Sequence, residues 1–163
     1  MAAGQGQPGN AGAGSAGAAA GAISTAGAGA KRLRLHIATP ERDFYDGDVE
    51  SVTLVSTDGE LGVLAGHMPT VVALNAAPVR FKEGGSWREA ALTGGFAEIE
   101  NDGVTILSDT AEWPEEIELN RAVEARRRAE ERIQARNNEV EYMRSMVALQ
   151  RALTRIAVSQ HKK

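Results

Sequence analysis

Cysteine is absent from the 163 residues. That excludes disulfides, thiolate catalysis and cysteine-based metal sites. Histidine is scarce, and the wide separation of His36, His67 and His161 argues against a histidine-based metal centre. No long apolar run is present, so the chain reads as soluble, or at most peripheral to a membrane. Charge is missing altogether from residues 1–30, which are mostly Gly and Ala, with Ile23 the one large aliphatic beyond the initiator Met1. Such a segment cannot bury enough apolar surface to offset its ordering entropy, and it is expected to be a disordered tail. It lacks the basic start and apolar core of a signal peptide and the arginines of an organelle transit peptide. Gly and Ala also gain too little from lipid for a membrane span.

Acidic residues are missing from Tyr142 onward. That stretch holds Arg144, Arg151, Arg155, Lys162 and Lys163, while the chain as a whole carries a formal charge of −4. A basic arm on an acidic body points to an acidic protein partner, or to docking on the molecule itself. Nucleic acid fits less well, because the arm lacks the interleaved aromatics that stacking uses.

Two regions of different period make up the charged part of the chain. From Lys31 to about Asp109 the signals are short and strand-like. Leu33, Leu35 and Ile37 alternate with polar residues, as do Val52 and Leu54, and Val79 and Phe81. Further short runs cover 87–93, 96–100 and 104–108. Turn formers separate the runs at Asp46-Gly47, Asp58-Gly59, Gly84-Gly85, Gly94-Gly95 and Asn101-Asp102-Gly103. Turns at intervals of roughly ten residues predict an antiparallel β-sandwich over 31–113. After Trp113 the period changes. Pro114 suits a first helical turn, and Glu115, Glu116 and Glu118 complement its dipole. A helix is predicted to about Arg136 with Leu119, Ala122, Ala125 or Ala129, and Ile133 facing inward. Asn137-Asn138 breaks it, and a second helix follows from Glu139 to about Gln160. Its stripe of Tyr142, Met146, Leu149, Leu153 and Ile156 is spaced four, three, four, three. The expected fold class is therefore α+β, a β-sandwich followed by a detachable two-helix antiparallel hairpin over 114–163.

Catalytic chemistry finds no centre. No nucleophile motif or phosphate-cradling Gly-Lys-Ser loop occurs, and the spacing of Asp43, Asp46, Asp48 and Glu50 fits a polar turn better than a calcium loop. A hydrolase using Glu112 or Glu118 is disfavoured, because both acids lie at a wet helix end with no paired group. Arg126-Arg127-Arg128 with Glu130 and Glu131 reads as a solvated helix face. One constellation stands out. A turn at Asn137-Asn138 sets Arg121 opposite Arg155, with Arg151 one turn away, so three guanidinium groups would converge and call for an anion or carboxylates between them.

The residues also resemble a known family. Gly59-Glu60-Leu61-Gly62-Val63-Leu64 with Gly66-His67-Met68-Pro69, Thr93-Gly94-Gly95-Phe96-Ala97-Glu98, the run from Val104 to Glu112, Ile117-Glu118-Leu119-Asn120-Arg121-Ala122 and Arg151-Ala152-Leu153-Thr154-Arg155 follow one another in this order. From Lys31 to Lys163 the chain resembles the epsilon subunit of bacterial F-type ATP synthase, counterpart of the chloroplast epsilon and mitochondrial delta subunits. The resemblance implies a non-catalytic central-stalk subunit that links gamma to the c-ring of a proton-translocating synthase. It places Glu60 and His67 against the c-ring. It further implies a hairpin that lies on the sandwich or extends beside gamma and inhibits ATP hydrolysis, with Arg144, Arg151 and Arg155 meeting acidic segments of the catalytic beta and alpha subunits. Localisation would be peripheral, at the cytoplasmic face of the bacterial cell membrane, through the complex alone. Some members bind ATP on the folded hairpin, and the matching positions are Glu112, Ile117, Glu118, Arg121, Ala122, Arg151 and Arg155. Glu118 stands where the motif has aspartate, and Val123 where a lysine often follows. No cofactor is required under this reading, and ATP is a regulatory ligand. The alternative is a stand-alone ATP-sensing module.

Overall fold

The computed structural model describes residues 31–135 and 138–162. The tail over 1–30, Arg136, Asn137 and Lys163 lie outside them. Within the first region, alternation in sequence becomes alternation of burial. β1 (Leu33–Ala38) buries Leu33, Leu35 and Ile37; β3 (Ser51–Ser56) buries Val52, Leu54 and Ser56; β7 (Gly103–Ser108) buries Val104, Ile106 and Ser108. A period of two puts each set on one face of its strand. With β2 (Asp43–Val49), β4 (Gly59–Val63), β5 (Thr70–Glu83), β6 (Ser86–Ile99) and the short β8 (Ala111–Glu112), these strands pair in the order β2-β1-β7-β6-β5-β3-β4, with β8 on β6. All pairs are antiparallel except β1 with β7. The sandwich closes on one apolar cluster that includes Leu35, Ile37, Val52, Phe81, Ile99 and Ile106.

Two expected turns lie inside strands instead. Asp46-Gly47 belongs to β2, where Asp46 pairs with His36 and its carboxylate accepts from Nε and Nη2 of Arg34 at 2.6 and 2.8 Å. Gly94-Gly95 lies within β6, so 87–93 and 96–100 form one long strand rather than two. Both glycines have positive φ, 107° and 128°, and a Cβ on Gly95 would come within 2.0 Å of the Leu107 carbonyl oxygen. Glycine here admits the neighbouring backbone while the strand continues. The turns at Gly84-Gly85 and Asn101-Asp102-Gly103 form as expected, closing Glu83 on Ser86 and Ile99 on Val104.

The helical region also starts differently. Pro114–Glu116 makes a single 3-10 turn, and the chain extends again at Ile117 (φ −78°, ψ 121°) before α1 (Leu119–Ala135) begins. Burial explains the break, since Ile117 is drawn into a small cluster with Ala91 and Val158. Asn138 caps α2 (Glu139–Ser159), its side chain accepting from the Glu141 N–H at 2.8 Å. α1 packs on α2, and α2 packs on β5 and β6.

Because α2 has two neighbours, the narrow apolar stripe does not describe its buried side. Met146 and Leu153 remain about 40% and 39% exposed, and Tyr142, Leu149 and Ile156 are half-buried. The buried positions are Ser145, Ala152, Thr154, Val158 and Ser159. In α1 Ala122 and Ala129 are buried, while Leu119 is exposed. Small residues on both helices allow close approach. Arg126 and Arg127 reach Glu130 and Glu131 along the solvent face, and Arg128 reaches back to Glu124, as a wet helix face requires.

Candidate functional site

A cavity of about 430 Å³ opens where the start of α1 faces the second half of α2. Glu112, Ile117, Glu118, Arg121, Ala122 and Arg155 line it, so the fold gathers every expected nucleotide-site residue except Arg151. Four further liners, Glu116, Ala125, Arg128 and Ala152, have no site role in the sequence reading, which gives them a helix dipole, a helix seam, a solvated face and a family motif. Ile117 and three alanines supply the apolar part of the lining, and three arginines and three glutamates the charged part.

Most of those charges are already matched. Arg155 Nε donates to Glu112 at 2.5 Å, and its Nη2 to Thr110 Oγ1 at 3.4 Å. The Glu116 carboxylate accepts from the Trp113 N–H at 2.9 Å and from the Arg42 guanidinium at 2.8 Å. Burial pushes the Glu116 carboxyl up, but the Trp113 amide and Arg42 outweigh it and hold the group below its ordinary value. Arg128 pairs with Glu124 at 3.4 Å. Arg121 and Glu118 remain without an ion pair among the described residues. The arrangement offers guanidinium donors for phosphate oxygens and carboxylates for an amine, beside the apolar lining of Ile117 and the alanines.

Arg151 departs from the expected trio. Its Nη2 meets Asp109 at 2.9 Å and its Nε donates to the Thr93 carbonyl at 3.2 Å. The position lies one helical turn before Arg155, above β6 rather than above α1, so the sandwich rather than the cavity satisfies it. It belongs to a row of contacts that seats α2. Thr154 Oγ1 and Gln150 Nε2 both donate to the Ala76 carbonyl, at 2.8 and 3.2 Å. Val158 is fully buried against Ala91 and Ile117. Beyond the helix, His161 contacts Glu89 at 2.5 Å and Lys162 Nζ donates to the Ile117 carbonyl at 2.7 Å. The hairpin is therefore folded down on the sandwich.

The remaining expected residues sit elsewhere. Glu60 lies on β4 and pairs with Arg80 at 3.3 Å. His67 lies in the loop that follows, where its Nδ1–H donates to the Met68 carbonyl at 2.8 Å. No hydrogen bond or ion pair joins Glu60 to His67 among the described residues. Arg144 is exposed on the first half of α2. Nearby, the register sets Ala73, Phe96 and Leu107 side by side on one outer face, with Val71 two residues along β5. Phe96 is 48% exposed, Leu107 41% and Val71 66%, a contiguous apolar patch of the kind that marks a protein contact. Leu64 and Met68 in the His67 loop are exposed as well.

This pairing of a sandwich with a docked hairpin matches known proteins over both parts. Residues 32–114 match the family model for the beta-sandwich domain of the ATP synthase delta/epsilon chain, and residues 115–160 match that for its long alpha-helix domain. The chain belongs to the ATP synthase delta/epsilon family. It is 50% identical over 129 residues to the ATP synthase epsilon chain of Ruminiclostridium cellulolyticum, covering 79% of this chain and 96% of that one. The epsilon chain of Bacillus licheniformis is 45% identical over 130 residues, covering 80% and 99%. Among solved structures, a chain of the Euglena gracilis mitochondrial ATP synthase, OSCP/F1/c-ring in rotational state 1, superposes with a TM-score of 0.70 at 25% identity, over 80% of this chain and 82% of that chain. Both matched family models begin after the Gly/Ala-rich tail. No helix among the described residues is long and apolar enough to cross a membrane. Of the cavity residues with no site role in the sequence reading, Glu116 has a further signal: it stands three residues after Trp113, the spacing of a glutamate that caps a helix start.

Proposed function

We propose that this family member is a non-catalytic rotor subunit of a proton-translocating F-type ATP synthase, whose sandwich links gamma to the c-ring and whose hairpin inhibits ATP hydrolysis when released. The observation that carries the reading is the contrast between its two surfaces. The sandwich keeps an apolar patch at Val71, Phe96 and Leu107 exposed even with the hairpin docked, which suits a permanent contact with gamma. The loop carrying His67, with exposed Leu64 and Met68, and the nearby strand carrying Glu60, suit the polar loops of a c-ring. The hairpin, by contrast, is seated through small residues and polar contacts, which favours reversible release. On release Arg151 and Arg155 would lose Asp109 and Glu112 and join Arg144 in facing acidic segments of the catalytic beta and alpha subunits. The subunit would then sit at the cytoplasmic face of the bacterial membrane through the complex alone.

ATP hydrolysis by the assembled complex, with and without residues 115–163, tests this. Truncation raises the rate if the hairpin inhibits; an unchanged rate at all ATP concentrations overturns it. Stable co-purification with gamma separates the rotor reading from a stand-alone ATP-sensing module.

The cavity supports a regulatory ligand of the same hairpin. ATP would place its phosphates against Arg121 and Arg155 and its base against Ile117 and the alanines, holding the docked state. Calorimetric titration should give saturable heat, and Arg121→Ala should weaken binding about tenfold, the scale of one charge-assisted hydrogen bond. No heat at millimolar ATP would remove the ligand from the account.

A further inference from the structure

A second cleft, of about 620 Å³, lies at the other end of the sandwich from the gamma-facing patch, walled by Trp87, Arg88, Trp113, Glu115 and His161. Trp87, Arg88 and Glu89 of β6 are part of its lining. The two-residue turn at Gly84-Gly85 closes Glu83 on Ser86, and from there the antiparallel register alternates residues of β6 that bond to β5 with residues whose N–H and C=O point the other way. Trp87, Glu89, Ala91 and Thr93 form that outward set. Its upper half is satisfied: the Thr93 N–H donates to the Thr110 carbonyl at 3.3 Å, and Ala91 pairs with Glu112 of β8. Continuing the β8 register would set Pro114 opposite Glu89, but proline has no N–H to offer and the chain turns away there. Among the described residues no strand pairs with the outward groups of Trp87 and Glu89.

We infer that this open edge of β6 is a strand-addition site for an extended, basic peptide segment of a partner protein. An exposed edge with side-chain pockets at alternate positions is the geometry that such recognition uses. Trp87, 56% exposed, and Trp113 provide apolar walls for a side chain of the added strand. The charge that remains decides the sign of the partner. Arg80 is held by Glu60 at 3.3 Å and Arg88 by Glu83 at 2.8 Å, with its guanidinium 4.3 Å from the Trp113 ring centroid. Glu89 takes His161. Glu115 has no ion pair among the described residues, so the unmatched charge at the cleft is negative and its complement is a lysine or arginine.

The test uses the isotope-labelled full chain and the probe acetyl-Val-Thr-Val-Lys-Val-amide, followed by amide shifts and hydrogen exchange. The Trp87 and Glu89 amides should move and gain protection as the peptide saturates near about 1 mM, the weak range that a few backbone bonds support. An analogue N-methylated at the two residues facing the edge should bind at least about tenfold more weakly, because it cannot donate. Glu115→Gln should weaken the parent peptide about two- to fivefold, the range of an exposed ion pair, and leave its lysine-free analogue unchanged. The inference is overturned if neither amide responds at several millimolar peptide. Equal binding of the N-methylated analogue, or shifts confined to the indole signals, would also overturn it, since either indicates side-chain stacking alone.

Discussion

Replacing Val158 with alanine should release the hairpin without unfolding the sandwich. Val158 is fully buried, and the cluster around it consists of Ala91 on β6 and Ile117 ahead of α1. The substitution removes two carbons, each worth about 0.8 kcal/mol of burial. Ala91 sits on a paired strand and cannot move in to fill the space, so a cavity contribution brings the total to about 2 kcal/mol. If docking and release form a two-state equilibrium, that shifts the docked-to-released ratio about 30-fold. The absence of cysteine makes the measurement direct, since Glu100→Cys with Ala148→Cys supplies the only labelling sites. Pulsed electron paramagnetic resonance between spin labels at these positions should show the short-distance population of the parent giving way to a long, broad one in Val158→Ala. Exchange protection of Leu35 and Ile106, both in the sandwich core, should stay unchanged. A lowered sandwich stability with an unmoved distance distribution would refute the reasoning, because Val158 would then belong to one global core. No change in either observable would refute it equally.

Four further outcomes follow from local geometry and charge. Gly95→Ala forces a Cβ to within 2.0 Å of the Leu107 oxygen at a φ of +128°, and should cost about 3 kcal/mol or more in urea unfolding. Gly62→Ala has nothing within 4 Å of its added carbon and should change stability by less than about 0.5 kcal/mol. Thr154→Val keeps the shape but removes the 2.8 Å bond to the Ala76 carbonyl, which retains Gln150, so the docked population should fall by the equivalent of about 1 kcal/mol in the same distance measurement. Glu116 titrates below its ordinary value of 4.5 in the folded chain, so its contribution is present above that pH and is lost as pH falls through the lower folded value. The stability difference between the parent and Glu116→Gln should accordingly be flat above about pH 5.5 and shrink under acid, as read from denaturant midpoints; a difference that grew on acidification would reverse the assignment.

Strand faces were legible because a period of two survives local accident: Leu33, Leu35 and Ile37 point inward as their spacing requires. Glycine pairs were not legible to the same degree. Gly84-Gly85 turns the chain and Gly94-Gly95 does not, and what separates them is the tertiary approach of Leu107 to Gly95. The hairpin exposed a second limit. Helical spacing identified one apolar stripe on α2, yet the helix has both a sheet and another helix beside it, and Ser145, Ala152 and Thr154 fill those contacts. Arg121 and Arg155 come together around one cavity, since helix register and a short connection fix which helical positions face each other; Glu112, on β8, is reached only through the family resemblance. The convergence expected of Arg151 with Arg121 and Arg155 does not form, because its partners Thr93 and Asp109 come from the sandwich and leave no trace in helical periodicity.

The seat of α2 has a property that its partners' chemistry imposes. Thr154, Gln150, Arg151 and Lys162 all donate to main-chain oxygens, those of Ala76, Thr93 and Ile117. Main-chain oxygens are indifferent to which side chain they accompany, so substitutions at positions 76, 93 or 117 that keep the backbone in place leave these acceptors intact. For these four bonds, adjustment of how readily the arm lifts is one-sided and is written into residues 150–162. The pairs of Arg151 with Asp109 and Arg155 with Glu112, and the packing of Val158 on Ala91 and Ile117, change with the platform's sequence as well.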